Sequence, residues 1–125
     1  MKKFGLIVLC LLFCTTLYAR RERADYYSIL DCMDDATSSY GLDMTQSAAI
    51  RYCKNKRIKF FSVRDCVAEA YSSEGFDMTR YSARNYCRAQ RIKYYSLIDC
   101  MEDAYSSDGL DMTRSAARRY CRQKV

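Results

Sequence analysis

The stretch GLDMTRSAARRYC, residues 109–121, is written three times in this chain with few changes. The earlier copies are GLDMTQSAAIRYC at 41–53 and GFDMTRYSARNYC at 75–87. Extended outward, the copies align without gaps over a period of 34 residues, and thirteen positions are identical in all three. A period of this length predicts a stack of similar supersecondary units. The units span residues 26–59, 60–93 and 94–125.

Each unit has the pattern of two helices joined by a short turn, which makes the predicted fold class all-α. The first helix (helix A) should begin after a serine that is followed by an aspartate three residues later, a typical N-cap pattern. Apolar or small residues at 29, 33, 36 and 40 mark its inward face, to which Tyr71 and Tyr105 should add in the later copies. Gly41 is expected to end this helix with a positive φ. The N-cap serines are Ser28, Ser62 and Ser96.

The second helix (helix B) lies within the repeated stretch itself. An aspartate is the expected N-cap, with the threonine two residues later as the alternative. Apolar and small side chains then follow at helical spacing, which predicts a core-facing stripe rather than a ligand site. In the first copy these are Met44, Ala48, Ala49, Tyr52 and Cys53, and the expected caps are Asp43, Asp77 and Asp111.

Six evenly spaced cysteines predict a disulfide framework in an oxidising compartment. In an antiparallel hairpin, residues equidistant from the turn lie side by side, and this places one pair in each unit. Such a bridge closes a loop of about 20 residues and contributes about 3 kcal/mol in the chain-entropy model. Bridges between units, Cys53–Cys66 and Cys87–Cys100, are the alternative that spacing alone leaves open. The expected pairs are Cys32–Cys53, Cys66–Cys87 and Cys100–Cys121.

The units join directly through KRIKFFS (56–62) and QRIKYYS (90–96), with no glycine, proline or low-complexity spacer. Such short links favour packed neighbours over semi-independent beads. An aromatic pair opens every unit and is expected to fill the joints. The pairs are Tyr26-Tyr27, Phe60-Phe61 and Tyr94-Tyr95.

The N-terminus has the pattern of a signal peptide over residues 1–19, with Lys2 and Lys3 before an apolar run and cleavage expected after Ala19. An uncleaved signal anchor is the alternative. Residues 20–25 then form a short basic segment, and the mature chain has no second apolar run long enough to span a membrane. A secreted or periplasmic location follows.

The charges are sorted by helix, with helix A acidic and helix B basic. The arginines of the later copies recur at helical spacing and predict a ridge for an anionic surface, an acidic glycan or a protein partner. The formal net charge of +6 falls to about +4 without Lys2 and Lys3, which disfavours a nucleic-acid partner. Internal salt bridges between the two helices are the alternative. The candidate surface is Arg80, Arg84, Arg88, Arg91, Arg114, Arg118, Arg119 and Arg122.

Catalysis is disfavoured because the chain has no histidine and its cysteines are spaced as staples rather than as zinc ligands. The sequence SSDGLD (106–111) lacks the alternating oxygen ligands of an EF-hand, so no cofactor or metal is expected. We therefore expect a non-enzymatic binding protein. A structural repeat with internally paired charges is one alternative. A precursor cut at RRER (20–23) and Lys56-Arg57 into separate toxin-like or host-defence-like hairpin peptides is another.

Overall fold

The computed structural model describes residues 26–125; the predicted signal peptide and basic segment, residues 1–25, lie outside the described part. The described chain forms six helices of nine residues each, two per repeat. It contains no strand beyond one isolated bridge between Tyr26 and Ile58. The predicted all-α fold of three tandem disulfide-stapled hairpins is confirmed. The helices are α1 (Ile29–Thr37), α2 (Gln46–Lys54), α3 (Val63–Tyr71), α4 (Arg80–Arg88), α5 (Leu97–Tyr105) and α6 (Arg114–Arg122).

The serine caps of helix A (α1, α3 and α5) are confirmed. Ser28 Oγ accepts the backbone N–H of Asp31 at 2.9 Å, and the later copies repeat this contact. Such a cap contributes about 1 kcal/mol, which matters for a helix of only two and a half turns. The placement of tyrosines on the inward face was wrong. Tyr40 lies beyond the end of α1, and Tyr71 faces outward because its neighbour Ala70 takes the buried position. Tyr105 is exposed in the same way.

Helix B (α2, α4 and α6) is capped by threonine, so the expected aspartate caps were wrong. Thr45 Oγ1 accepts the N–H of Ala48 at 3.3 Å, and Thr79 and Thr113 do the same in their repeats. The aspartates instead adopt the left-handed conformation, in which Asp and Asn are the best tolerated residues after glycine. Their φ angles are 50° at Asp43, 49° at Asp77 and 50° at Asp111.

The turn glycines do not adopt positive φ, contrary to expectation. They are required for close approach, because a Cβ on Gly41 would lie 1.9 Å from the carbonyl oxygen of Asp35. A Cβ on Gly75 would lie 1.9 Å from the carbonyl oxygen of Glu69, and a Cβ on Gly109 would lie 1.8 Å from that of Asp103. The turn therefore folds back tightly onto helix A. Glycine permits that contact because it has no Cβ, and the aspartate two residues later adopts the left-handed backbone conformation of the turn.

The predicted disulfide pairing within each hairpin is confirmed, and the alternative pairing between hairpins is wrong. The bridged Cα atoms lie 6.0, 5.8 and 5.8 Å apart in the three repeats. All six cysteines are fully buried beside the alanines of the predicted stripe. The bridges are Cys32–Cys53, Cys66–Cys87 and Cys100–Cys121.

The three hairpins pack into one stack through their A helices, with α1 against α3 and α3 against α5. Packed neighbours, rather than separate beads, are thus observed. The first aromatic of each pair is buried in the stack, as expected, but the second is exposed. Tyr27 and Phe61 stack on each other at 5.9 Å, so the expectation that both members fill the joint was half wrong. None of the helices between residues 26 and 125 is long and apolar enough to cross a bilayer.

Candidate functional site

Arg84, in the middle of the predicted arginine ridge, lies inside the joint between repeats 2 and 3. Its Nη2 donates to the carbonyl of Ser107 at 2.7 Å and its Nε donates to that of Gly109 at 3.2 Å. Its Nη1 is 3.7 Å from the carboxylate of Asp111, and only 21% of the side chain is exposed. These contacts hold the turn of repeat 3 against α4. Arg84 therefore serves the architecture and is not free to bind a ligand.

Arg80 lies next to acidic residues. Its guanidinium stands 5.2 Å from the ring centre of Tyr71, in a cation–π contact. The two side chains line a groove of about 390 Å³ together with Asp65 and Asp108. Two carboxylates in the same groove weaken the attraction of this arginine for an anion.

The remaining six arginines of the prediction are exposed, but they lie on different parts of the stack. Arg88 and Arg91 lie near repeat 3. Burial raises the pKa of Tyr120 in that repeat to about 12, and the positive charge of the nearby Arg88 opposes this rise. The arginines of α6 belong to the last repeat, where no further repeat follows within the described chain. The exposed set is Arg88, Arg91, Arg114, Arg118, Arg119 and Arg122.

A cationic site lies where the hairpins meet, at the C-terminal ends of the B helices. Two grooves open there, of about 340 and 470 Å³. We call them the proximal and distal joint grooves. Moving every residue of the proximal groove by one repeat of 34 gives the lining of the distal groove. The proximal groove is lined by Arg57, Ile58, Lys59, Ala89, Gln90 and Arg91. The distal groove is lined by Arg91, Ile92, Lys93, Gln123, Lys124 and Val125.

The linkers place these cations by simple alternation. In Arg57-Ile58-Lys59 the isoleucine is buried and both cations are exposed, and residues 91–93 repeat the arrangement. Successive side chains of an extended segment point to opposite sides, so the two cations share one side. Basic residues in the last turn of a helix offset its dipole. Residues 57–59 and 91–93 lie beyond the helix ends, so this effect does not account for them.

No aspartate or glutamate lines either joint groove. By contrast, a groove of about 400 Å³ elsewhere on the joint of repeats 1 and 2 includes Asp34 and Glu74. The joint grooves each contain three cations, and Arg91 belongs to both. Like charges held this close repel one another, and an anion between them would relieve the repulsion.

Lys124 shows the effect of this crowding. Its Nζ donates to the carbonyl of Gln90 at 2.8 Å and lies 5.2 Å from the ring centre of Tyr120. Burial lowers the pKa of Lys124, and the nearby charge of Arg91 lowers it further. The charge of Arg91 therefore acts on Lys124 across the distal groove.

Of the cations in these grooves, the candidate surface predicted from the sequence contains only Arg91. Helical spacing extends the basic line to Arg57 in the first copy but passes over Lys59, Lys93 and Lys124, and the candidate surface includes none of these four. The signal was present, since both linkers contain Arg-Ile-Lys, a cation–apolar–cation triplet at the period of an extended chain.

Comparison with known proteins gives no match: no family model, no curated protein and no solved structure is similar to this chain. Within residues 26–125, no group of three or more potential ligands is placed to hold a metal ion.

Proposed function

We propose that this chain is an exported, non-enzymatic binding protein whose joint grooves hold a linear anionic polysaccharide. One observation carries the proposal: two equivalent grooves, one repeat apart, are each lined by three cationic side chains and by no aspartate or glutamate. Arg91 connects them, so a single extended chain of anionic groups can follow both. The disulfide framework suits an oxidising space outside the cytoplasm, where such polymers occur.

The shape of the site favours a polymer chain over a membrane. A flat bilayer surface contacts the rim of a groove, whereas a narrow chain enters it. Arginine pairs with sulfate or carboxylate groups through two parallel hydrogen bonds, and lysine adds a compact charge. The mixture of Arg and Lys in both grooves fits a polymer that carries such groups at intervals.

The test uses heparin as the probe and isothermal titration at several salt concentrations. In the groove variant, Arg57→Gln, Arg91→Gln and Lys93→Gln are combined. The control variant, which combines Arg51→Gln, Arg114→Gln and Arg119→Gln, loses the same charge from exposed positions outside both grooves. We expect the groove variant to bind at least about tenfold more weakly at 0.15 M salt, with a smaller salt dependence because fewer counterions are released.

The control variant should bind within about threefold of the wild type, because distant exposed charges are largely screened at this salt concentration. Equal losses in the two variants would mean that net charge alone attracts heparin, and the proposal would be wrong. It would also be wrong if vesicles with 30% anionic lipid bound tightly and heparin did not. Unchanged thermal unfolding of both variants ensures that the comparison reports binding.

Processing into separate hairpin peptides fits the structure less well. The linker residue Ile58 is buried in the stack, and Ile29 of repeat 1 is fully buried with Gly75 of repeat 2 lying over it. Release of single hairpins would expose both side chains to water. The intact stack is therefore the form to which the proposed function belongs.

A further inference from the structure

The two ends of the stack expose the two halves of a joint that occurs twice inside it. We define the leading face as the side of repeat 1 formed by Tyr26, Asp35 and the turn 38–43. The trailing face is the side of repeat 3 formed by Leu97, Met101 and Arg118. Inside the stack, the equivalents of these two faces pack against each other.

Polar contacts at the two internal joints satisfy the start of α1 and of α3. The N–H of Ile29 donates to Glu69 Oε2 of the next repeat at 2.5 Å. In the second joint, the N–H of Val63 donates to Tyr94 Oη at 2.8 Å, and this hydroxyl donates to Asp103 at 3.3 Å. One repeat therefore caps the helix of the repeat before it.

Apolar contacts at the internal joints bury one residue on each side. Ile29 and Val63 are fully buried. Phe76 and Leu110, in the turns of the following repeats, are each only 3% exposed. The ammonium of Lys54 in repeat 1 also stands 5.7 Å from the ring centre of Phe76 in repeat 2.

The same positions are uncovered at the ends of the stack. Leu42 corresponds to Phe76 and Leu110 but is 49% exposed, because no repeat precedes it in the described chain. Leu97 corresponds to Ile29 and Val63 and is also 49% exposed, because the described residues contain no repeat after it. The neighbouring Ile98 is 70% exposed. Each end thus leaves apolar surface open to water.

The end faces also match each other in polar chemistry. Repeat 1 carries Tyr26 with Asp35, the same pair as Tyr94 with Asp103 in repeat 3. Burial raises the pKa of Tyr26, and the charge of Asp35 raises it further. Repeat 1 therefore already holds the pair that would accept the N–H of Leu97 from a preceding copy.

Repeat 3 supplies the complementary arginine. Arg118 stands where Arg84 stands in repeat 2, but it is exposed. The turn of repeat 1 holds Ser39, Gly41 and Asp43 at the positions where Ser107, Gly109 and Asp111 receive Arg84.

We propose that the trailing face of one copy of this chain binds the leading face of a second copy, so that the protein assembles head to tail. The new joint would reproduce that between repeats 2 and 3, with Arg118 on the turn of the second copy and Leu97 beneath it. Such a contact joins two different surfaces and can continue in an open line. Solenoids that remain single usually carry polar terminal repeats, whereas both ends of the described stack expose a leucine.

The test is sedimentation velocity of the mature chain, residues 20–125, from about 5 to 500 µM. We expect the average mass to rise with concentration, because association must first offset the loss of translational and rotational freedom. Leu42→Arg blocks the leading face and Leu97→Arg blocks the trailing face. Both positions are half exposed, so neither change buries a charge in the folded monomer. Each variant alone should remain monomeric.

An equimolar mixture of the two variants separates this arrangement from others. Each variant keeps one intact face, so the mixture should form a one-to-one dimer and nothing larger. Dimerisation of Leu42→Arg alone would show a symmetric contact between trailing faces and overturn the proposal. A wild type that stays monomeric at 500 µM would overturn it as well. Arg118→Ala should weaken assembly of the wild type about tenfold.

Discussion

The two joints of the stack use different side chains for the same task. In the first joint, the carboxylate of Glu69 reaches the N–H of Ile29 directly, and Phe60 lies in the aromatic position without a hydroxyl. In the second joint, the shorter Asp103 acts through the hydroxyl of Tyr94 on the N–H of Val63. The pairs Phe–Glu and Tyr–Asp are two solutions to the capping of one helix.

The two joints differ in the same way at the turn. Arg84 binds the turn of repeat 3, whereas its equivalent in repeat 1 is the partly buried Ile50. In the first joint, the amide of Gln46 donates to the carbonyl of Ser73 at 2.9 Å. Each joint therefore requires that the backbone groups of the turn have hydrogen-bond partners and that side chains fill the space between the repeats. Different residues can meet both requirements. Positions that vary between the repeats include residues essential for packing.

The substitution Tyr94→Phe should have the largest effect on the second joint. It leaves the N–H of Val63 without a partner in a buried place and removes the donor to Asp103. An unsatisfied buried group costs about 1–3 kcal/mol. We expect a loss of that size in the free energy of unfolding, measured by urea denaturation with the disulfides intact.

The first joint supplies the rescue for this variant. Adding Asp103→Glu creates the Phe–Glu pair of repeat 2, and the double variant should recover to within about 1 kcal/mol of the wild type. Coupling between the two positions is the quantity to measure. If the two changes are additive, the joints are not interchangeable solutions, and the comparison above fails.

The substitution Arg84→Ala should have the next largest effect. It removes two hydrogen bonds to backbone carbonyls and the ion pair with Asp111, at a cost of about 1–2 kcal/mol. Arg118→Ala is the matched control, since it changes the same position of the last repeat, where the side chain is exposed. Below the concentration at which copies associate, its effect should stay within about 0.5 kcal/mol. Equal losses would show that the contacts of Arg84 across the joint add no stability of their own, since alanine forms helix at least as well as arginine.

The architecture was predictable from the sequence because it is written three times. The period of 34, the serine caps and the symmetric placement of cysteines around the turn all reflect local rules, and each was confirmed. The exchange of roles between Gly41 and Asp43 was not predictable from composition. Either residue can take a positive φ, and only the distance from the turn to Asp35 decides between them.

The candidate site was much less predictable. The ridge of arginines is regular in sequence, but the guanidinium of Arg84 is hydrogen-bonded to the carbonyls of residues 23 and 25 positions away. Conversely, Arg57 and Arg91 are a full repeat apart and meet in one groove only after the hairpins stack. Helical spacing describes one helix at a time, so neither outcome follows from it.

The smallest effect distinguishes the two capping carboxylates by pH. Burial raises the pKa of both Glu69 and Asp103. At Glu69, hydrogen bonds from backbone N–H groups oppose this rise. At Asp103, the hydrogen bond from Tyr94 opposes it most, followed by the positive charge of Arg64. A folded-state pKa above the unfolded value means that the folded protein binds the proton more tightly. Each group should therefore add stability as the pH falls from neutral through its folded pKa, with no further gain below the unfolded value.

Glu69→Gln and Asp103→Asn remove these titrations one at a time. The stability of the wild type relative to each variant should increase as the pH falls from 7 to 4, measured by thermal unfolding at each pH. Both groups are only partly buried, so water screens much of the effect and keeps it below those of the joint substitutions. Salt at 1 M should alter the titration of Asp103 more than that of Glu69, because Arg64 stands 3.8 Å from Asp103 and is half exposed. A wild type that loses stability relative to both variants on acidification would show that ionic attraction, and not burial, dominates at both joints.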